Sequence, residues 1–174
     1  PAGSLLNFAM TDAGNAERLI QFTAGNVRFC PDTRKWMVWT GKRWESDENE
    51  RMMERALKML AKFGGEADRA REGGAKPKLF GDRALAWKSK SENVQRLDAM
   101  VKVARSSSAI SALTLNAYPD EVGVENGIVD LRDSLLRAHD RERLMTKTVR
   151  WNYGKGAKCP TWIKFLERVF GAGM

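Results

Sequence analysis

The chain has a single histidine in 174 residues, two cysteines far apart at positions 30 and 159, and no apolar run near the length of a membrane span. Each scarcity removes a class of function. One imidazole cannot build a multi-histidine phosphohydrolase centre, so His139-Asp140 is expected to hydrogen-bond at a strand end rather than to hold a metal. Cys30 and Cys159 have neither zinc-ligand spacing nor the number that a disulfide framework needs, which fits a reducing cytoplasm. With no spanning segment and no charged-then-apolar leader, the chain reads as soluble, with no membrane partner. A P-loop is missing as well. That motif needs a glycine-rich loop ending in Gly-Lys-Ser or Gly-Lys-Thr, and Gly154-Lys155-Gly156 has neither the spacing nor the hydroxyl.

Catalytic pairs are equally scarce. Asp130 and Asp133 are the nearest two carboxylates, but they flank an expected turn in which Asp133 forms an Asx turn. With Glu125 they are the residues that a magnesium-dependent nuclease would have to use. Nucleophilic catalysis by Cys159 would want a histidine base and an orienting partner, whereas its place before Pro160 makes it a helix-start residue. The expectation is a segment with no catalytic residues, no metal site and no cofactor of its own.

Basic charge, by contrast, is abundant and comes in blocks. The net charge is +8, and residues 69–105 and 137–174 carry +6 each, whereas 106–136 carry −4. Concentrated Lys and Arg make the electrostatic footprint of a polyanion partner; a merely solvated basic surface is the bland alternative.

Periodicity predicts an α+β fold: small antiparallel meanders packed with several helices and closed by a C-terminal helix. Thr11 caps a first helix that ends near Gly25. Short strands follow over Val27 to Cys30, Lys35 to Trp39 and Arg43 to Glu45. Trp36, Trp39 and Trp44 interleave there with basic residues, either as a single-strand stacking platform or, for Trp36 and Trp44, as packing against neighbouring helices. Asp47 and Glu50 have capping-box spacing before a helix that ends at Gly64-Gly65. Residues 64–82, rich in glycine and charge, read as a mobile connection, with one or two helical turns over Ala67 to Glu72, between two lobes of one domain, 1–63 and 83–174. Ala84 to Lys88 looks helical. Ser91 is expected to cap a longer helix with Val94, Leu97, Met100, Val101 and Ala104 on its inner face, ended by Ser106 to Ser108. Residues 110–119 show no clear period.

The clearest signals lie from Val122 to Phe170. Val122 to Leu131 alternates around Asn126-Gly127, a hairpin turn pair. A second apolar run, Met145 to Tyr153, closes at Gly154. Trp162, Ile163, Leu166, Val169 and Phe170 then recur at helical spacing after Pro160, and Gly171-Ala172-Gly173 reads as a linker.

These residues carry a resemblance. Asn126-Gly127, Asp130-Leu131-Arg132, Leu136, His139-Asp140, Thr146, Tyr153, Ala157, Cys159-Pro160, Trp162, Phe165-Leu166 and Phe170 resemble the domain that precedes the superfamily 3 helicase in phage and plasmid primases. A related segment occurs in the poxvirus primase-helicase. Thr11 to Ile20 and Val27 to Trp44 extend the likeness over nearly the whole chain.

The resemblance implies a noncatalytic DNA-replication module in the cytoplasm of a bacterial host, assisting DNA engagement and helicase assembly. Its partners would be single-stranded or forked DNA, a downstream helicase domain that binds ATP and magnesium, and other copies of the full-length protein. The alternative is an oligomerisation or partner-docking module that never meets DNA. Candidate DNA contacts are Arg137, Arg141, Arg143, Lys147, Arg150, Lys155 and Lys158 from the last basic block, Lys76, Lys78 and Lys88 from the middle one, and Lys35, Arg43 and Trp39 from the meander.

Overall fold

Thr11 accepts a hydrogen bond from the Gly14 amide and starts α1 (Asp12–Thr23), which ends at Ala24 in the left-handed region. The computed structural model describes residues 3–171. Arg18 on α1 is fully buried, a position no periodicity suggests for an arginine. It donates to the carbonyls of Leu5 (2.9 Å), Ala9 (2.8 Å) and Phe8 (2.5 Å) and to Asn15 Oδ1 (3.0 Å), with its guanidinium 4.4 Å from the centre of the Phe63 ring. Burial pushes its pKa down to about 10, still charged at neutral pH, and the four acceptors offset the lost hydration. The segment before α1, with its short 3-10 helix Leu5–Asn7, is thereby fastened to the core.

The first sheet is a meander of β1 (Val27–Cys30), β2 (Lys35–Trp39) and β3 (Trp44–Ser46), antiparallel in the order β1-β2-β3. Its third strand starts one residue later than the sequence pattern suggests. Trp36 and Trp44 are both buried, which settles them as packing residues. Beyond β3, Asp47 takes the amides of Arg51 (2.8 Å) and Met52 (2.9 Å) and so caps α2 (Arg51–Arg71); Glu50 does not complete a capping box but turns left-handed, with φ of 54°.

The flexible connection expected over 64–82 is corrected. α2 continues through Gly64-Gly65 to Arg71, and α3 (Ala75–Ser91) follows almost at once and packs along it. Gly81 serves close packing rather than mobility. A Cβ on Gly81 would come within 2.7 Å of the Ala67 carbonyl, so only glycine lets the two helices approach this far. Phe63, Ala67 and Ala84 are fully buried at that contact. Ser91 is likewise not a cap: it ends α3 and accepts from Asn15 Nδ2 (2.9 Å), while Asn93 caps α4 (Val94–Ser107). On α4, Leu97, Met100 and Ala104 face inward as expected; Val94 lies in the first turn and is exposed.

One apolar cluster joins Leu5, Leu19, Val27, Met59, Leu60 and Phe63 to Ala84, Leu97 and Met100. Each large member contributes about 1.5–3 kcal/mol of burial. After α4 the chain passes the edge of β1, where Phe29 N–H donates to Ser108 O and Ile110 N–H to Phe29 O, both at 2.8 Å. Residues 110–119, unassigned by pattern, hold a short 3-10 helix, Ala112–Thr114, whose Ala112 amide donates to Asp32 (2.7 Å).

The second sheet has β4 (Glu121–Val124), β5 (Gly127–Asp130) and β6 (Leu135–Arg137), antiparallel in the order β4-β5-β6. Val124 pairs with Gly127, so the hairpin loop is Glu125-Asn126, one position before the expected pair. The reason is a second task for Asn126: its side chain donates to Tyr153 O (3.0 Å) and accepts from Tyr153 N–H (2.8 Å), imitating a strand partner. The helix α5 (Pro160–Phe170) begins at Pro160, as its sequence predicts, and buries none of its residues. Ala172 and Gly173 of the expected linker lie outside the described residues.

Candidate nucleic-acid interface

The apolar run from Met145 forms no regular strand but an extended strip between the two sheets. Trp44 N–H donates to Met145 O (2.7 Å) on one side; on the other, Val149 N–H donates to Gly123 O (2.8 Å) and Glu125 N–H to Trp151 O (3.0 Å). Gly123 makes this contact possible, because a Cβ there would meet Lys147 O at 2.7 Å. An extended backbone sends alternate side chains to opposite sides. Arg150 lines a trough with Thr40, Lys42, Arg43, Glu45 and Glu125, Met145, Lys147 and Val149 line a separate groove with Asn116, Tyr118, Pro119, Glu121, Val122 and Gly123, and Thr148 borders both.

Within the trough, Arg43 binds Glu45 (2.7 Å) and Thr148 Oγ1 (2.9 Å), and Lys42 meets Glu125 across the seam between the sheets. The Lys42 ammonium holds the Glu125 carboxyl below its usual range. Arg150 and Lys147 are exposed and have no carboxylate partner among the described residues. Trp151, which follows Arg150 in the chain, is 78% exposed. An indole in water beside unpaired cations is the combination used to stack bases and neutralise phosphates.

Other candidates are placed differently. Arg137 binds Asp133 (2.6 Å) and Asp130 (3.5 Å). Arg141 donates to Ala24 O (2.7 Å), and Arg143 pairs with Glu121 (3.3 Å) while lying over the Tyr118 ring. Lys35 pairs with Glu48 and Lys88 with Glu92, both at 2.6 Å. Trp39, half-buried, packs against Trp44 with ring centres 5.7 Å apart. Lys76 and Lys78 are exposed in the first turn of α3, in the helical layer, whereas Lys155 and Lys158 are exposed in the segment leading to α5. The structure thus brings Arg43, Lys147 and Arg150 to the seam and disperses the rest.

The carboxylates weighed for metal chemistry are each taken by a cation. Asp130, buried, accepts from the Arg132 side chain (2.7 and 3.0 Å) and backbone (3.0 Å), which hold it well below the usual carboxylate range. Asp133 is lowered chiefly by Arg137 and forms the expected Asx turn with Leu135 N–H (2.9 Å). His139 Nε2 lies 3.3 Å from Glu125 O, beside the β4-β5 loop. Sequence reasoning placed Lys42 only among the cations interleaved with the meander tryptophans and missed Thr40, Thr148 and Trp151. The alternation from Lys147 to Trp151 was the available signal, but it mattered only once the strip was known to lie between two sheets.

Fold and seam together define a small two-sheet α+β domain that presents cations and an indole where its sheets meet. More particularly, the chain belongs to the family described as D5 N terminal like, whose model matches residues 16–171; it is a domain of primase-helicase-like proteins. No curated protein matches the chain.

Proposed function

We propose that this domain is a noncatalytic DNA-engaging module of a phage or plasmid primase-helicase. It holds single-stranded or forked DNA for a downstream helicase domain, which binds ATP and magnesium and assembles into a ring. The observation that carries the reading is the strip itself: Lys147, Arg150 and Trp151 stand exposed within five residues, the two cations free of carboxylates among the described residues. Family membership supports a replication role. The test is fluorescence anisotropy with labelled single-stranded and forked DNA. Trp151→Ala removes a stacking face worth about 1–3 kcal/mol per base and is expected to weaken binding about tenfold or more. Unchanged affinity in both Trp151→Ala and Arg150→Glu contradicts the reading.

A second reading, docking or oligomerisation, is favoured by α5. Trp162, Ile163, Phe165, Val169 and Phe170 are all exposed, and Trp162 stacks on Phe165 with ring centres 5.4 Å apart. An apolar face of this size suits burial against a following domain or a neighbouring chain. Light scattering on the chain alone and on a version extended downstream tests this, since assembly and ATP hydrolysis are both expected only in the extended one.

A further inference from the structure

The seam accounts for only part of the unpaired basic charge. Helix α3 carries Lys76, Lys78, Arg83, Lys88 and Lys90 against a single acid, Asp82, which is taken by Arg71 (2.8 Å). Lys76, Arg83 and Lys90 are exposed and pair with no carboxylate among the described residues. Positions 76, 80, 83, 87 and 90 follow one another by three or four, so they share one face of the helix. That face alternates cation and aromatic ring, with Phe80 and Trp87 between the basic residues, over about 21 Å of helix. Phe80 is 40% exposed and Trp87 half-buried. None of these cations is needed for packing, since α3 buries Gly81, Ala84 and Ser91.

The C-terminal half of the face borders a cavity of about 320 Å³, lined by Met10, Arg83, Ala86, Trp87 and Lys90. The indole in it is held in place. Its N–H donates to Oδ1 of the buried Asn15 (3.0 Å), and the Arg96 guanidinium, itself bound to Asp12 (3.1 Å), lies 4.6 Å from the ring centre. A ring fixed in this way loses little freedom when another flat ring packs on it. The cavity thus combines apolar walls, a preset aromatic ring and an unpaired cation on either side of it. An acidic peptide would satisfy the cations but has no flat rings for the aromatic positions, whereas a nucleotide strand supplies both.

We propose that this face of α3 is a second contact for single-stranded DNA, with Arg83 and Lys90 on phosphates and a base against Trp87 in the cavity, and with Lys76 and Phe80 continuing the line. The proposal rests on the DNA reading above. It gives the domain two places to hold a strand, one between the sheets and one on the helical layer. Phosphates and π-faces are common to all nucleotides, so the contact is independent of sequence.

The experiment measures the affinity of a long labelled single strand by anisotropy over a range of salt. Each phosphate contact adds about 0.7 to the slope of log affinity against log salt, so Arg83→Ala with Lys90→Ala is expected to flatten the slope by about 1.4. Both side chains are exposed and unpaired, so the fold is expected to persist. Lys58→Ala with Lys102→Ala removes the same charge from α2 and α4 and is expected to leave the slope as it is. A strand substituted with iodouracil, photo-cross-linked and mapped by peptide mass, is expected to mark Trp87 or Phe80 in addition to Trp151. An unchanged slope in Arg83→Ala with Lys90→Ala, an equal loss in the Lys58 and Lys102 control, or adducts confined to Trp151 overturn the α3 contact. An unchanged slope assigns the α3 cations to solvent or to an acidic protein. The DNA reading stands in each case if Lys147→Ala with Arg150→Ala still flattens the slope. Failure of the unaltered chain to bind the strand removes the DNA reading and this proposal with it.

Discussion

The indole N–H of Trp44 donates to the carbonyl oxygen of Arg141 across 2.7 Å, joining β3 to a turn 97 residues further on. The Arg141 side chain meanwhile reaches Ala24 O (2.7 Å) and Asn26 Oδ1 (3.3 Å), just past the end of α1. This arginine is therefore a fastener between the two halves of the chain. Arg141→Ala is expected to lower stability by about 1–2 kcal/mol, as loss of a charged donor to backbone acceptors does, while the salt dependence of DNA binding stays the same. Chemical denaturation and anisotropy on the same sample check both parts. A flattened salt slope with full stability would return Arg141 to the DNA surface.

Acid should act through the Asp130 cluster. Asp130 is held below its ordinary pKa, chiefly by Arg132, so its contribution is present above the unfolded value of about 3.9 and disappears as pH falls through the folded value. Thermal midpoints are thus expected to be steady from neutral pH to about 5 and to fall below about 4, less steeply in Asp130→Asn. Arg132 is mostly exposed, so salt should weaken the difference. Superimposable pH profiles for the two proteins would show that the carboxylate carries no such linkage.

The α2-α3 hairpin gives a third expectation. Gly81→Val places a side chain against the Ala67 carbonyl and Arg71, where a Cβ alone already comes within 2.7 and 2.5 Å, so it is expected to cost about 2 kcal/mol or more. In the wild type, limited proteolysis should spare 64–71 and 75–91 and cut, if anywhere here, at Glu72 to Gly74. Ready cleavage at Gly64-Gly65 would restore the flexible connection.

The contrast at that hairpin shows what the sequence could disclose. The meander, α1 with its Thr11 cap and α5 after Pro160 were legible, because each is signalled by local period and end chemistry. Glycine is ambiguous in a way that no local pattern resolves: Gly64-Gly65 looks like a breaker yet lies within α2, and the missing Cβ of Gly81 permits close helix contact. Arg18 was hidden for a similar reason, since its acceptors come from an irregular segment. At the candidate site the charge blocks were visible, but which cations stay unpaired depends on carboxylates distant in sequence. Glu121 reaches Arg143 and Glu125 reaches Lys42 only through the pairing of β4 with β5 and the lie of the strip.

For α5 the expectation concerns stability rather than binding. None of its residues is buried, so Trp162→Ser with Phe165→Ser is expected to change the unfolding free energy by less than about 1 kcal/mol. Thermal or urea unfolding decides. A loss of several kcal/mol would mean that the helix packs on its own domain and is not available for docking.

The most direct test of the account is the affinity for a labelled single strand measured over a range of salt. If about four phosphates are neutralised, log affinity falls with log salt at a slope of roughly −3, and replacing Lys147 and Arg150 by alanine reduces the slope by about 1.4. An affinity indifferent to salt, or a slope that both substitutions leave unchanged, would contradict the claim that the strip between the sheets is where this domain holds DNA.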